Sequence, residues 1–152
     1  MKSINQSSPS PRLAEFVGIH YGDGNLHSSN YTYRITIALN KTLDSEYSEY
    51  VQLLFRDLFG VHLSVYDFMY KQLRTLKTCS VELVKFLESN YQCQVRPKNY
   101  LRIPQVFVGR RELFVVFLRG LFDTDGCIFI RNCTGYKYPV IKITNRSEQF
   151  LC

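Results

Sequence analysis

The sequence predicts a mixed α+β protein built from two repeats, each opening helix–strand–strand. Three observations carry this prediction. Glu15–Gly24 (EFVGIHYGDG) and Phe117–Gly126 (FLRGLFDTDG) both run from apolar residues through glycine to Asp-Gly. One offset of 102 residues aligns Gly18 with Gly120, Gly22 with Thr124, Asp23 with Asp125 and Gly24 with Gly126. Each of these stretches is followed by segments of strand character, and the first of them alternates with period two.

Met1–Ser10 is polar and serine-rich and reads as a flexible tail, residues 1–10. Ser10-Pro11 supplies an N-cap and a first helical residue. A helix then runs to about Tyr21 and ends at Gly22-Asp23-Gly24. Asn25–Ser29 is a short strand, with a turn at Ser29-Asn30. In Tyr31–Leu39, Tyr33, Ile35, Ile37 and Leu39 share one face, and Thr32, Arg34, Thr36 and Ala38 the other. Asp44 or Ser45 caps a helix through Phe59, with Tyr47, Val51, Leu54, Phe55 and Leu58 as its apolar stripe and Gly60 as its stop. Val61–Tyr70 and Gln72–Cys79 read as strands with a turn near Lys71, and Ser80 caps a helix over Val81–Ser89. Residues 11–90 thus form a first repeat of order αββαββα.

Residues 91–110 are the expected linker, irregular and basic over Asn90–Arg102, with a helical turn at Gln105–Val108. The second repeat, residues 111–152, starts in the same order: a helix, strands near Cys127–Asn132 and Tyr138–Thr144, then Ser147 as an N-cap. The chain ends 27 residues after Asp125, which reads as an incomplete second repeat.

Leu113–Phe122 is apolar almost all round, as buried helices are. Glycine inside a helix costs about 1 kcal/mol against alanine, a cost that suits places where two backbones must come close. Gly18 and Gly22 share a face, as do Gly120 and Thr124, so these four residues predict a seam between the helices. Asp23 and Asp125 would then meet at the helix C-termini. A carboxylate there opposes the helix dipole, and a divalent cation between the two acids removes the conflict. Two carboxylates with the Gly22 and Thr124 carbonyls make a hard oxygen donor set suited to Mg²⁺. The competing reading is that each Asp-Gly merely closes a helix; the shared register of two copies favours the metal.

LRGLFDTDG (Leu118–Gly126) resembles the LAGLIDADG motif of homing endonucleases closely, and FVGIHYGDG (Phe16–Gly24) resembles it more loosely. The first copy departs from it at His20 and Tyr21, where the family usually has an apolar residue and an acid. RIPQV (Arg102–Val106) ahead of the second copy resembles the linker of archaeal intron-encoded and intein-borne double-motif members. The resemblance spans about Leu13–Phe150. It implies αββαββα repeats whose antiparallel, saddle-shaped sheets straddle DNA, with the motif helices as their seam. It implies further that Asp23 and Asp125 bind Mg²⁺, or another divalent cation such as Mn²⁺, for hydrolysis of phosphodiesters in both strands of a long site.

Both second strands finish in asparagine and a cation, Asn40-Lys41 and Asn145-Arg146. In the family a basic residue in this region neighbours the metal, which makes Lys41 and Arg146 candidate catalytic helpers. A polar strand end facing solvent accounts for them equally well. Arginine at 146 suits phosphate clamping better than proton transfer. The expected DNA face comprises Arg34, Thr36, Asn40, Tyr66, Lys71, Arg74, Lys77, Arg131, Lys137, Lys142 and Asn145.

The formal charge of +6 fits a polyanionic partner, here double-stranded DNA. No apolar run is long enough for a membrane span, and no signal-peptide layout is present. The five cysteines form no CxxC pair. They read as reduced thiols of an intracellular protein, cytoplasmic or organellar and not secreted. His20, His27 and His62 show no ligand spacing. The expected function is a sequence-specific double-strand DNA endonuclease, commonly intron-associated in this family. The alternative is an inactive DNA- or intron-RNA-binding protein, a regulator or maturase, on the same fold. An intein origin is disfavoured, since no splicing nucleophile stands at the start and no His-Asn pair at the end. An incomplete second half also leaves self-association open.

Overall fold

A computed structural model of the chain describes residues 9–29, 31–95, 101–145 and 147. The helices are α1 (Pro11–Gly22), α2 (Ser45–Phe59), α3 (Val81–Tyr91), α4 (Gln105–Val108) and α5 (Arg111–Asp125). The strands are β1 (Gly24–Ser29), β2 (Thr32–Asn40), β3 (Ser64–Asp67), β4 (Leu73–Cys79), β5 (Gly126–Cys133) and β6 (Tyr136–Ile143). The first four strands form one antiparallel sheet in the order β1-β2-β4-β3, and β5 and β6 pair as a separate hairpin. This is the α+β architecture with antiparallel sheets that the sequence predicts.

Local chemistry accounts for the ends of the elements. The Ser10 hydroxyl accepts a hydrogen bond from the Leu13 N–H at 3.3 Å, and Pro11 needs no partner for its nitrogen. Ser80 caps α3 in the same way through the Leu83 N–H. Gly60 ends α2 at φ +67°, a left-handed conformation that costs glycine nothing. Asp44 precedes α2, but its carboxylate takes the Asn40 N–H at 2.8 Å instead of capping the helix.

Core packing follows the period-two prediction. Ile35, Ile37 and Leu39 of β2 are buried with Leu26 of β1 and Leu76 of β4, beneath Phe16, Val51, Leu54 and Phe55 of the helices. Phe16 of α1 meets Phe55 and Phe59 of α2 edge-on, at 5.3 and 5.4 Å between ring centres. The two departures from the family motif have structural roles. His20 is buried beside Phe16. Tyr21 stacks edge-on against Phe117 of α5 at 5.4 Å, and its hydroxyl donates to the Tyr91 and Arg102 carbonyls at 2.8 and 3.0 Å. That clasp ties the helix pair to the end of α3 and the linker. Burial pushes the Tyr21 phenol well above its ordinary range.

Some boundaries differ from expectation. The strand expected over Val61–Tyr70 shrinks to β3, because Leu63 turns into the core and Phe68 already closes the hairpin to Leu73. α3 runs on to Tyr91, whose ring is needed in the core against Phe107. Ser147 is buried and donates its hydroxyl to the Leu101 carbonyl at 3.1 Å; the helix expected after it lies outside the described residues.

In the first sheet the apolar face is covered by helices. On the β5–β6 hairpin the equivalent positions follow Gly126 in the pattern that Gly24 starts. Ile128 and Ile141 pair there, yet they are 64% and 71% exposed, and Ile130 is 63% exposed.

Candidate metal centre and nucleic-acid face

α1 and α5 lie backbone to backbone. A Cβ on Gly18 would fall on the Phe117 carbonyl oxygen and 2.8 Å from the Leu121 nitrogen. One on Gly120 would fall on the Glu15 carbonyl oxygen and 3.1 Å from the Ile19 nitrogen. At the C-terminal end, Gly22 faces the Thr124 side chain, and its Cβ position is 3.3 Å from the Asp125 carboxyl carbon. The residue before one acid thus leaves no room for a side chain beside the other acid. Gly18, Gly22, Gly120 and Thr124 all lie in this contact.

Each acid is pinned by its own sheet. The Asp23 carbonyl accepts from the Ala38 N–H at 3.1 Å, and the Asp125 carbonyl accepts from the Thr144 N–H at 3.2 Å. The Asp23 N–H closes α1 onto the Ile19 carbonyl. Asn145 donates its amide to the Asp125 carboxylate at 3.3 Å, while its own oxygen accepts from the Ser147 N–H at 2.9 Å. Asn40 makes the matching turn, its oxygen accepting from the Thr42 and Leu43 N–H groups, both at 2.9 Å. These asparagines shape the strand ends, and Asn145 also orients an acid.

The donor set fits a hard divalent cation. It comprises two carboxylates at adjoining helix ends, with the last-turn carbonyls of Gly22 and Thr124 beside them. Among the described residues no group of three or more His, Cys, Asp or Glu side chains is arranged for a metal.

The polar face of the first sheet follows from register. Arg34 stands between His27 and Cys79, and Thr36 between Asn25 and Lys77. The Lys77 ammonium lies 3.6 Å from the centre of the Tyr66 ring. Arg34, Thr36, Tyr66 and Lys77 therefore share one face. On the β5–β6 hairpin Arg131 pairs with Tyr138, and Lys142 with Cys127, again on one face.

Four expected positions are placed otherwise. Arg74 pairs with Leu39 across the ladder and so points to the helix side. There it grips Asp67 through two bonds of 2.8 and 2.9 Å and donates to Ser48 of α2 at 2.9 Å. That pairing holds the Asp67 carboxyl below its ordinary range. Lys137 pairs with Asn132, one residue out of phase with Arg131, and so lies on the opposite face of the hairpin. Lys41 reaches the Phe68 carbonyl at 3.5 Å, which takes its ammonium to the β3–β4 hairpin. Lys71 sits in the tip of that hairpin rather than on the sheet face. Arg146 lies outside the described residues.

A polar cluster between α1, α2 and α5 has no counterpart among the sequence expectations. Buried Glu15 accepts from the Tyr50 hydroxyl at 2.7 Å, and Arg119 stands 3.9 Å from both Glu15 and Asp123. An open pocket of about 410 Å³ lies beside it, lined by Asp44, Tyr47, Tyr50, Arg119 and Asp123. Burial pushes the Asp123 carboxyl up; Arg119 opposes the shift and Glu15 adds to it. Burial, with the bond to Glu15, pushes Tyr50 up to about 12. The signal for this cluster was Glu15 itself, an acid between the apolar pairs Leu13-Ala14 and Phe16-Val17.

Comparison with known proteins bears on the fold. A family model described as a LAGLIDADG-like domain matches residues 114–152. No curated protein matches. Among solved structures, a variant of the homing endonuclease I-DmoI, in complex with its target DNA nicked in the coding strand and with Mn, superposes with a TM-score of 0.57 at 16% identity. That match covers 80% of this chain and 64% of that one. I-DmoI in complex with DNA and Mn gives a TM-score of 0.53 at 17% identity, covering 77% and 63%. I-DmoI with DNA and Ca gives 0.57 at 16%, covering 80% and 60%. The chain therefore spans less than two thirds of the length of these structures, and at such identities the likeness is one of fold. No helix among the described residues is long and apolar enough to cross a membrane. Residues 114–152 are thus similar in sequence to a LAGLIDADG-like domain, and the described chain shares the fold of the homing endonuclease I-DmoI.

Proposed function

We propose that the chain is a sequence-specific double-strand DNA endonuclease that works with Mg²⁺ or Mn²⁺ held by Asp23 and Asp125. The observation that carries this reading is the backbone-close seam that brings both acids to adjoining helix ends. Gly22 and Thr124 would contribute carbonyls to the same ion. When bound, the metal supplies charge stabilisation at the scissile phosphate and a more acidic water. The protein's part is positional. The strand bonds from Ala38 and Thr144 fix the backbone of each acid, and Asn145 fixes the Asp125 carboxylate. Arg34, Thr36, Tyr66 and Lys77 of the first sheet, with Arg131 and Lys142 of the hairpin, face the duplex. Cations there hold phosphates, and arginine reads guanine edges. Arg146 remains a candidate phosphate clamp; Lys41 acts at the β3–β4 hairpin.

The test lets the chain select its own target. Duplexes enriched for binding from a randomised library are incubated with the chain in Mg²⁺ or Mn²⁺, and in chelator. A recurrent cut sequence should emerge with metal alone. Bound but uncut duplexes in every condition would replace this reading with the alternative, a non-cleaving nucleic-acid-binding protein. One observation favours that alternative: the ammonium of Lys41, a candidate helper, lies 3.5 Å from the Phe68 carbonyl of the β3–β4 hairpin. The exposed Ile128, Ile130 and Ile141 add a second partner to the proposal, another copy of the chain. Sedimentation as a monomer at micromolar concentration would remove it.

A further inference from the structure

The β3–β4 hairpin ends in three consecutive large apolar residues that the core does not use. Phe68, Met69 and Tyr70 are 47%, 82% and 94% exposed. Single exposed apolar side chains are ordinary, but these three sit together on a loop that is held in place. The Phe68 N–H bonds the Leu73 carbonyl at 3.0 Å and leaves a four-residue tip, Met69–Gln72. The segment after β2 braces this tip from the side. The Lys41 N–H donates to the Gln72 carbonyl at 3.3 Å, the Thr42 hydroxyl to the Gln72 side chain at 2.9 Å, and the Lys41 ammonium to the Phe68 carbonyl at 3.5 Å. A braced loop has already lost the freedom that binding would otherwise remove.

Position and charge say what the tip meets. Leu73 pairs with Asn40, and Asn40 is two residues, about 7 Å, beyond Ala38, whose N–H bonds the Asp23 carbonyl. The tip therefore lies at the acid end of the sheet. Lys41 and Lys71 flank it; Asp67 before it is paired with Arg74, and Asp44 at its base is taken up by the Asn40 N–H. Tyr66, just before the tip, faces the polar side of the sheet under Lys77. An apolar point flanked by two lysines complements a nucleic-acid duplex, whose phosphates surround an apolar base stack. Apolar side chains inserted at a base step unstack it and kink the helix.

We infer that Phe68, Met69 and Tyr70 form an apolar wedge that opens the base stack of bound DNA beside the acid pair. This inference rests on the DNA-binding reading above and adds a deformation step to it. The wedge gains most where stacking is already broken, because the unstacking cost is then absent.

The experiment compares two probes, a fully paired duplex and the same duplex carrying a short mismatched bubble, with the chain and with M69S/Y70S. Both replaced residues are exposed, and an unchanged melting temperature checks that the variant folds. The wild-type chain should bind the bubble about tenfold tighter than the paired duplex. M69S/Y70S should bind the two alike and keep the wild-type salt dependence, since no cation is lost. Lys71→Ala should do the opposite, with a shallower salt dependence and an intact bubble preference. Equal wild-type affinities for the two probes overturn the wedge and leave DNA binding standing, as does a variant that keeps the preference. Failure of the wild-type chain to bind either probe overturns the DNA-binding reading itself, and the wedge with it.

Discussion

Asp23→Asn and Asp125→Asn should each abolish metal-dependent cleavage while leaving affinity for DNA unchanged or slightly higher. Asparagine keeps the shape of aspartate but not its charge, so the metal loses an anionic ligand. A bound metal supplies several kcal/mol of transition-state stabilisation; losing about 4 kcal/mol is about a thousandfold in rate. The backbone bonds from Ala38 and Thr144 do not involve the side chains and survive both changes. At position 125 the Asn145 amide, 3.3 Å away, can still donate to the new side-chain oxygen. Removing a negative charge near phosphates accounts for the retained or raised affinity. Cleavage assays on the selected duplexes, beside binding measurements on the same samples, check both halves of the expectation. If both variants cut like the unaltered chain, the acid pair is not the active centre.

Gly120→Ala should lower stability by about 1–3 kcal/mol, and Gly120→Leu by more, because the added carbon meets backbone rather than a movable side chain. The obstacle is the Glu15 carbonyl oxygen, with the Ile19 nitrogen at 3.1 Å. For a chain of this size, a loss of that order lowers the melting temperature by about 2–4 °C per kcal/mol. Gly109→Ala is the control, since a Cβ there meets nothing within 4 Å and the backbone conformation is ordinary. Thermal denaturation of the three variants separates seam packing from the general effect of replacing glycine. Equal melting temperatures for Gly109→Ala and Gly120→Ala would contradict close helix contact.

The seam was legible because its signals are local. Two glycine-to-acid helices in one register and a period-two strand need no long-range information. Two of the misplacements were legible in principle. Leu76 is the core residue of β4, so parity alone assigns Arg74 to its face and Lys77 to the other. Lys137 needed the hairpin register, which follows from the turn at Thr134-Gly135, where both residues have positive φ. Contacts between distant residues were not legible. Nothing near Tyr21 in sequence announces its bonds to the Tyr91 and Arg102 carbonyls, and nothing near Glu15 announces Tyr50 or Arg119. Those pairings arise from how helices cross, which residue spacing within one helix does not encode.

The seam also bears on the order of folding. The strand ladder of β1 and β2 closes over a turn, and α2, β3 and β4 join it over short connections. α1 and α5, by contrast, begin 100 residues apart, at Pro11 and Arg111, so their contact closes a far longer loop than those of the first sheet. The entropy of that closure is offset only when the glycine faces dock, so this contact is placed late on the route to the native state. The two acids lie in the same contact, and neither helix alone carries both. The first sheet can therefore be native while the proposed metal centre is still in two halves, and metal affinity would then report completion of the fold rather than its onset.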